Sequence, residues 1–192
     1  MDNDEKKIAD ILFSKSLRVE EFTKEETRDS KSPDFRVFKN NVLVFFCEVK
    51  TISHDEWSDG ARNDPVFNRI SNKIHEAVQQ FDAINPTLEY PNVLAFVNHD
   101  NMCDSLDLVA VTTGHFLSEE GGRHPIYLQF SEGRIKEEKF RIHLYIWIDE
   151  FKGNRYLFNT FTRKHLDNLC NYFGINSNAI NNVLGESQTK QI

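Results

Sequence analysis

The run Val42-Leu43-Val44-Phe45-Phe46-Cys47 holds six consecutive residues without a charge or a polar side chain other than a thiol. Six residues are too few for a membrane span and are rich in β-branched and aromatic types, so the run predicts a strand buried on both faces. Asn40-Asn41 directly before it is a tight-turn dipeptide, and Phe35-Arg36-Val37-Phe38 before that alternates as a strand should. The two runs together predict a β-hairpin whose second strand lies inside a sheet. Such a strand needs helices on both sides of it, which places the chain in the α/β class.

The flanking segments supply those helices. Residues 3–14 read as a short amphipathic helix through Ile8, Ile11 and Leu12, and 17–22 as an outer strand. Residues 65–84 carry Ile70, Ile74, Ala77, Val78 and Phe81 on one helical stripe, with Asp64-Pro65 as a start signal and Pro86 as a stop. Asn92 to Asn98 reads as a buried strand. Residues 99–125 read as a long loop, with Leu106 to Val111 as an apolar island. Strands are expected at 126–130, 140–148 and 156–161. A helix capped by Thr162 and ended by Gly174 follows, with Leu166, Leu169, Cys170 and Phe173 inward. The order predicts a single mixed α/β domain over residues 1–175 and a weakly ordered tail over 176–192.

Three scattered cysteines without a CxxC pair argue against structural zinc and a disulfide framework. No run of eighteen apolar residues occurs, and the N-terminus lacks an apolar signal region, so a cytoplasmic location is expected. The net charge of −7 weighs against a polyanionic partner, although residues 123–192 carry 10 basic and 7 acidic side chains.

The chemistry concentrates in Pro33-Asp34 and Glu48-Val49-Lys50. The start of one hairpin strand lies beside the end of the next, so Asp34 and Glu48 are expected to meet at the sheet end, where the hydrophobic run gives out. Period-2 geometry puts Glu48 and Lys50 on one face and Val49 on the other. Two hard carboxylates beside a lysine suit a Mg²⁺ or Mn²⁺ ion and phosphodiester hydrolysis, with the Val49 carbonyl as a third oxygen ligand. Lys50 would orient or deprotonate the attacking water, or neutralise the phosphate. The same residues also fit a plainer account, in which Asp34 caps a turn and Glu48 and Lys50 form a surface pair.

In order, spacing and strand context these residues resemble the PD-(D/E)xK, or restriction-endonuclease-like, nuclease superfamily. The resemblance covers residues 1–100. It implies a mixed central sheet flanked by helices, Mg²⁺ dependence and cleavage of nucleic acid, with DNA the expected polymer. It further implies an acidic residue from the first helix, for which Glu5 is the candidate and Glu20 and Glu21 are rivals. A polar helix face after the E-x-K is also implied. Here that face is Arg69, Lys73, Glu76 and Gln80, with Arg69 and Lys73 meeting phosphates and Gln80 orienting the site. The Gln-x-x-x-Tyr pattern of some subgroups is absent, since Ala83 and Ile84 follow Gln79 and Gln80 at that spacing. A homodimer or a partner protein is expected to supply affinity that an acidic monomer lacks. The alternative is a nuclease-like module that binds nucleic acid or protein without cutting. His54, His75 and the set His99, Asp100, Asp104 and Asp107 are read as ordinary surface or loop residues.

Overall fold

A computed structural model describes residues 1–23, 25–27, 31–53, 66–118, 122–126, 135–150, 152–159, 164–177 and 180. The elements are α1 (Asn3–Ser14), β1 (Arg18–Glu21), β2 (Phe35–Lys39), β3 (Val42–Ile52), α2 (Val66–Ile84), β4 (Asn92–Asn98), α3 (Ser105–Thr113), β5 (His115–Leu117), β6 (Arg123–Pro125), β7 (Leu144–Asp149), β8 (Arg155–Phe158) and α4 (Leu166–Phe173). Six strands form one mixed sheet in the order β1-β2-β3-β4-β7-β8, and β5 and β6 form a separate hairpin. Strands β3, β4 and β7 run parallel at the centre; β1, β2 and β8 pair antiparallel outside them. Among the described residues no helix is long and apolar enough to cross a membrane.

Period-2 side-chain alternation sorts the central strands into two cores. On one face Phe35, Val37, Phe45, Cys47, Val93, Ala95, Val97, Leu144 and Ile146 pack with Ile8 and Leu12 of α1 and Leu169 and Phe173 of α4. On the other, Phe46, Ile52, Leu94, Phe96, Tyr145 and Trp147 pack with Ile70, Ile74, Ala77, Val78 and Phe81 of α2 and Leu108 and Val111 of α3. The result is a helix–sheet–helix sandwich, which explains why β4 and β7 are buried along their whole lengths.

The hairpin between β2 and β3 turns at Asn40 and Asn41, whose φ values of 52° and 63° are the left-handed pair that a two-residue turn with matching twist requires. Past the turn the register changes. Lys39 faces Val42 and Phe38 faces Leu43, but Val37 faces Phe45, so Val44 is an extra, bulged residue. With the bulge, Phe35 faces Cys47, and the next pair outward is Asp34 opposite Glu48. Without it Asp34 would oppose Cys47, whose side chain points to the other core.

Several expectations need correction. Strand β3 continues to Ile52, so Glu48 and Lys50 lie within a central strand rather than past its end. The expected loop after β4 contains helix α3, capped by Asp104 and Asp107 at one end and by Gly114 (φ 73°) at the other. Apolar on most sides and rich in β-branched residues, α3 shows little 3.6-residue periodicity. Its legible signal was the acidic capping box. The expected strand 140–148 begins only at Leu144, because residues 138–141 form a 3-10 turn. The expected strand 126–130 lies outside the described residues beyond Ile126, as do Asp64-Pro65, Thr162 and residues 181–192.

His143 locks the start of β7 to that of β4. Its Nδ1 accepts the Asn92 N–H at 3.0 Å, and its ring meets His165 edge-on with centroids 5.0 Å apart. Burial, then the neighbouring His165, holds its pKa down at about 4. Above the ordinary histidine pKa near 6.5, both folded and unfolded chains carry it neutral. As pH falls from about 6.5 to about 4 the unfolded chain takes up a proton that the folded chain refuses, so stability is lost across that window. Urea midpoints measured from pH 7 to pH 4 should show His143→Asn losing less stability than the parent; parallel curves would remove His143 as the cause.

Candidate active site

Asp34 stands where the chain enters β2, and Glu48 stands in the middle of β3, 1% exposed. The two are tied reciprocally. The Asp34 N–H donates to Glu48 Oε2 at 3.0 Å, and the Val49 N–H donates to Asp34 Oδ2 at 2.7 Å. Because the N–H and C=O of one extended residue point to the same side, the Val49 carbonyl also lies on the Asp34 edge of β3. Lys50 Nζ sits 2.8 Å from Glu48 Oε1, as their shared face requires. It also donates to Gln80 Oε1 at 3.0 Å, while Gln80 Nε2 donates to the Ser32 carbonyl at 3.0 Å. Gln80 thereby clamps α2 to both the lysine and the segment that presents Asp34.

This arrangement is electrostatically costly. Burial, and then the Asp34 charge, push the Glu48 carboxyl up to about 8 despite Lys50. Burial also raises Asp34, against the opposing Val49 N–H, and the charge of Glu5 adds to the rise. Glu5 is therefore close enough to be felt, but its carboxylate is used by the α1 capping box, accepting the Asp2 N–H at 2.6 Å. Glu20 and Glu21 are exposed on the edge strand, paired with Arg18 and the N-terminal amine. Among the described residues no group of three or more His, Cys, Asp or Glu side chains is placed to hold a metal ion. A divalent cation here would draw on Asp34, Glu48, the Val49 carbonyl and water, a set of hard oxygens that suits Mg²⁺ or Mn²⁺. A buried and a half-buried carboxylate in contact, both with raised pKa, are what such a cation would relieve.

The helix face expected to meet phosphates divides. Arg69 does not face the acid pair: its guanidinium donates to Asp100 Oδ2 at 2.6 Å and to the Ser53 carbonyl at 2.6 Å. Asp100 is fully buried, so Arg69 joins α2 to the ends of β3 and β4. Lys73 lies on the open side of α2, 3.3 Å from Glu76 Oε2, and the same oxygen lies 3.5 Å from Lys50 Nζ. Burial opposes ionisation of Glu76, but Lys73 and Lys50 outweigh it and hold its carboxyl below the usual range. Sequence reasoning missed Lys31, which donates to Gln79 at 2.7 Å and lines the cleft over Lys50; no periodicity marks a residue in that loop.

The remaining polar residues have structural partners. His75 pairs with Glu138, and Asp104 and Asp107 cap α3. His99 shares Asp4 with Thr51. His54 lies outside the described residues. No protein family matches the chain, and neither curated proteins nor solved structures give a match.

Two outcomes follow from the geometry. Breaking a buried ion pair from one side costs about 3–5 kcal/mol, so Arg69→Ala and Asp100→Ala should each lower unfolding free energy by about that much. If Arg69→Ala left stability untouched, the structural role assigned to it would be wrong. Glu48→Gln copies the protonated acid. Because the folded pKa near 8 exceeds the ordinary glutamate value, ionised Glu48 destabilises the fold progressively as pH rises from about 4.5 to about 8. Without divalent cations, Glu48→Gln should match the parent in melting temperature near pH 4.5 and exceed it at pH 8. Adding Mn²⁺ should raise the parent's melting temperature and leave the variant's unchanged.

Proposed function

We propose that this chain is a divalent-cation-dependent nuclease hydrolysing phosphodiester bonds, with DNA the expected polymer. The observation carrying the reading is the convergence of Asp34, Glu48 and Lys50, with distances of 2.7–3.0 Å linking backbone and side chains in a partly buried cluster that costs stability. Charges held together against their own repulsion and desolvation mark functional sites more often than structural ones. The PD-(D/E)xK resemblance supplies the same roles, and the sandwich of a mixed sheet between helices is compatible with it.

Asp34, Glu48 and the Val49 carbonyl would hold Mg²⁺ or Mn²⁺, with Glu5 contributing charge from α1. A cation bound there supplies charge compensation to the phosphate and acidifies water. Lys50 places its Nζ beside Glu48 and at the edge of an open cleft of about 410 Å³ lined by Thr27, Lys31, Ser32, Glu76 and Gln80. From there it can hydrogen-bond a phosphate oxygen or the attacking water. Gln80 fixes its reach, and its bond to the Ser32 carbonyl ties the segment before Asp34 to the same helix. With a net charge of −7 the protein repels a polyanion overall, so a homodimer or a partner protein is proposed to supply affinity and targeting.

The test is cleavage of labelled duplex and single-stranded DNA and RNA in Mg²⁺, Mn²⁺, Ca²⁺ and chelator. Mg²⁺ or Mn²⁺ should support turnover, and Asp34→Ala, Glu48→Ala and Lys50→Ala should each reduce it by roughly a hundredfold or more. Full activity in Glu48→Ala, or in chelator, would sink the proposal.

A further inference from the structure

Glu76 occupies an unusual place on the open rim of the site. Its Oε2 lies 3.5 Å from Lys50 Nζ and 3.3 Å from Lys73 Nζ, so one carboxylate oxygen bridges two ammonium groups from different elements. Lys50 is anchored behind this contact by Glu48 and Gln80. Lys73, 37% exposed, and Glu76, 51% exposed, are free to change rotamer. Lys31 lies across the same cleft.

From this geometry we infer that Lys50 and Lys73 form a seat for a substrate phosphate, and that the Glu76 carboxylate fills that seat until a phosphate displaces it. The inference rests on the nuclease reading and adds to it an internal competitor and a defined phosphoryl subsite. A carboxylate and a phosphodiester both offer anionic oxygens to ammonium donors. The Glu76–Lys73 pair is weak because it is solvated and ties down long side chains, and the Glu76–Lys50 contact is long at 3.5 Å. A phosphate arriving between Lys50 and Lys73 replaces both contacts and releases condensed counterions as well. Glu76 then swings into solvent. Its like-charge repulsion of other phosphates makes the seat selective for a backbone already aligned with the acid pair, and keeps adventitious polyanions out of an otherwise accessible lysine cluster.

The full chain is titrated in chelator, so that nothing is cut, against labelled DNA and RNA duplexes at low salt. Glu76→Gln should bind about threefold tighter or better than the parent, the scale of an exposed ion pair lost. Lys73→Gln added to Glu76→Gln should abolish the gain and lower the salt slope by about one. If the parent binds but Glu76→Gln binds no tighter, the seat is wrong while the nuclease reading stands. If a gain survives Lys73→Gln, Glu76 acts only as a general negative charge, and the seat is again wrong. Absence of binding by every variant, together with no cleavage in Mn²⁺, overturns both. Weaker Mn²⁺ binding by Glu76→Gln in calorimetry would make Glu76 a metal ligand and overturn its assignment as a phosphate competitor.

Discussion

Glu48 is a carboxylate at the end of the most buried stretch of β3, and the surrounding structure is organised around that cost. Isolated, an ionised carboxylate at such a position is prohibitively unfavourable. Two groups make it tolerable, Lys50 two residues along the same face and the Asp34 backbone N–H across the hairpin, and burial adds partial neutralisation by raising its pKa to about 8. The two partners come from β3 and from the start of β2, so the acid ties these strands together and, through Lys50 and Gln80, ties them to α2. The polar cluster is nearly self-satisfied. That saturation gives it a defined geometry.

A second buried polar junction lies at the far end of the parallel strands. Arg69 and Asp100 join α2 to the ends of β3 and β4, while Asn98 donates to Asp149 and to two backbone carbonyls. These bonds fix where β3, β4 and β7 terminate and so hold α2 in its tilt over the sheet. The position of Lys73, Glu76 and Gln80 over Lys50 follows from that anchoring. The two junctions divide the helix between them: its first turns carry the architecture and its middle carries the rim of the cleft.

Much of the candidate site could be read without coordinates. The hydrophobic run into Glu48, the asparagine turn and the acidic start at Asp34 are local patterns, and a hairpin read from them places Asp34 beside the strand that carries Glu48 and Lys50. Gln80 was legible as a polar residue beside the α2 stripe. Arg69 looked equivalent to Lys73 on that same face, and nothing in one-dimensional spacing separates an arginine facing solvent from one facing a buried aspartate thirty-one residues away. Helix α3 escaped for a related reason. Its apolar residues are spread around the helix rather than gathered on one stripe, so periodicity detects no polar face, and only its caps remain as a signal.

By itself the sequence determined the elements whose information is local: the amphipathic stripes of α1, α2 and α4, the doubly buried strands β3 and β4, the turn at Asn40-Asn41 and the identity of the acid pair. Tertiary structure decided their alignment. A two-residue turn alone would set Asp34 opposite Cys47 and send the two carboxylates to opposite faces of the sheet. The bulge at Val44 shifts the pairing by one residue and brings Asp34 opposite Glu48. Strand register has a side-chain period of two, so a single extra residue reverses which face a side chain occupies. The choice rests on packing Phe35, Val37, Phe45 and Cys47 together against α1 and α4, a comparison between whole layers that no local stretch of the chain contains.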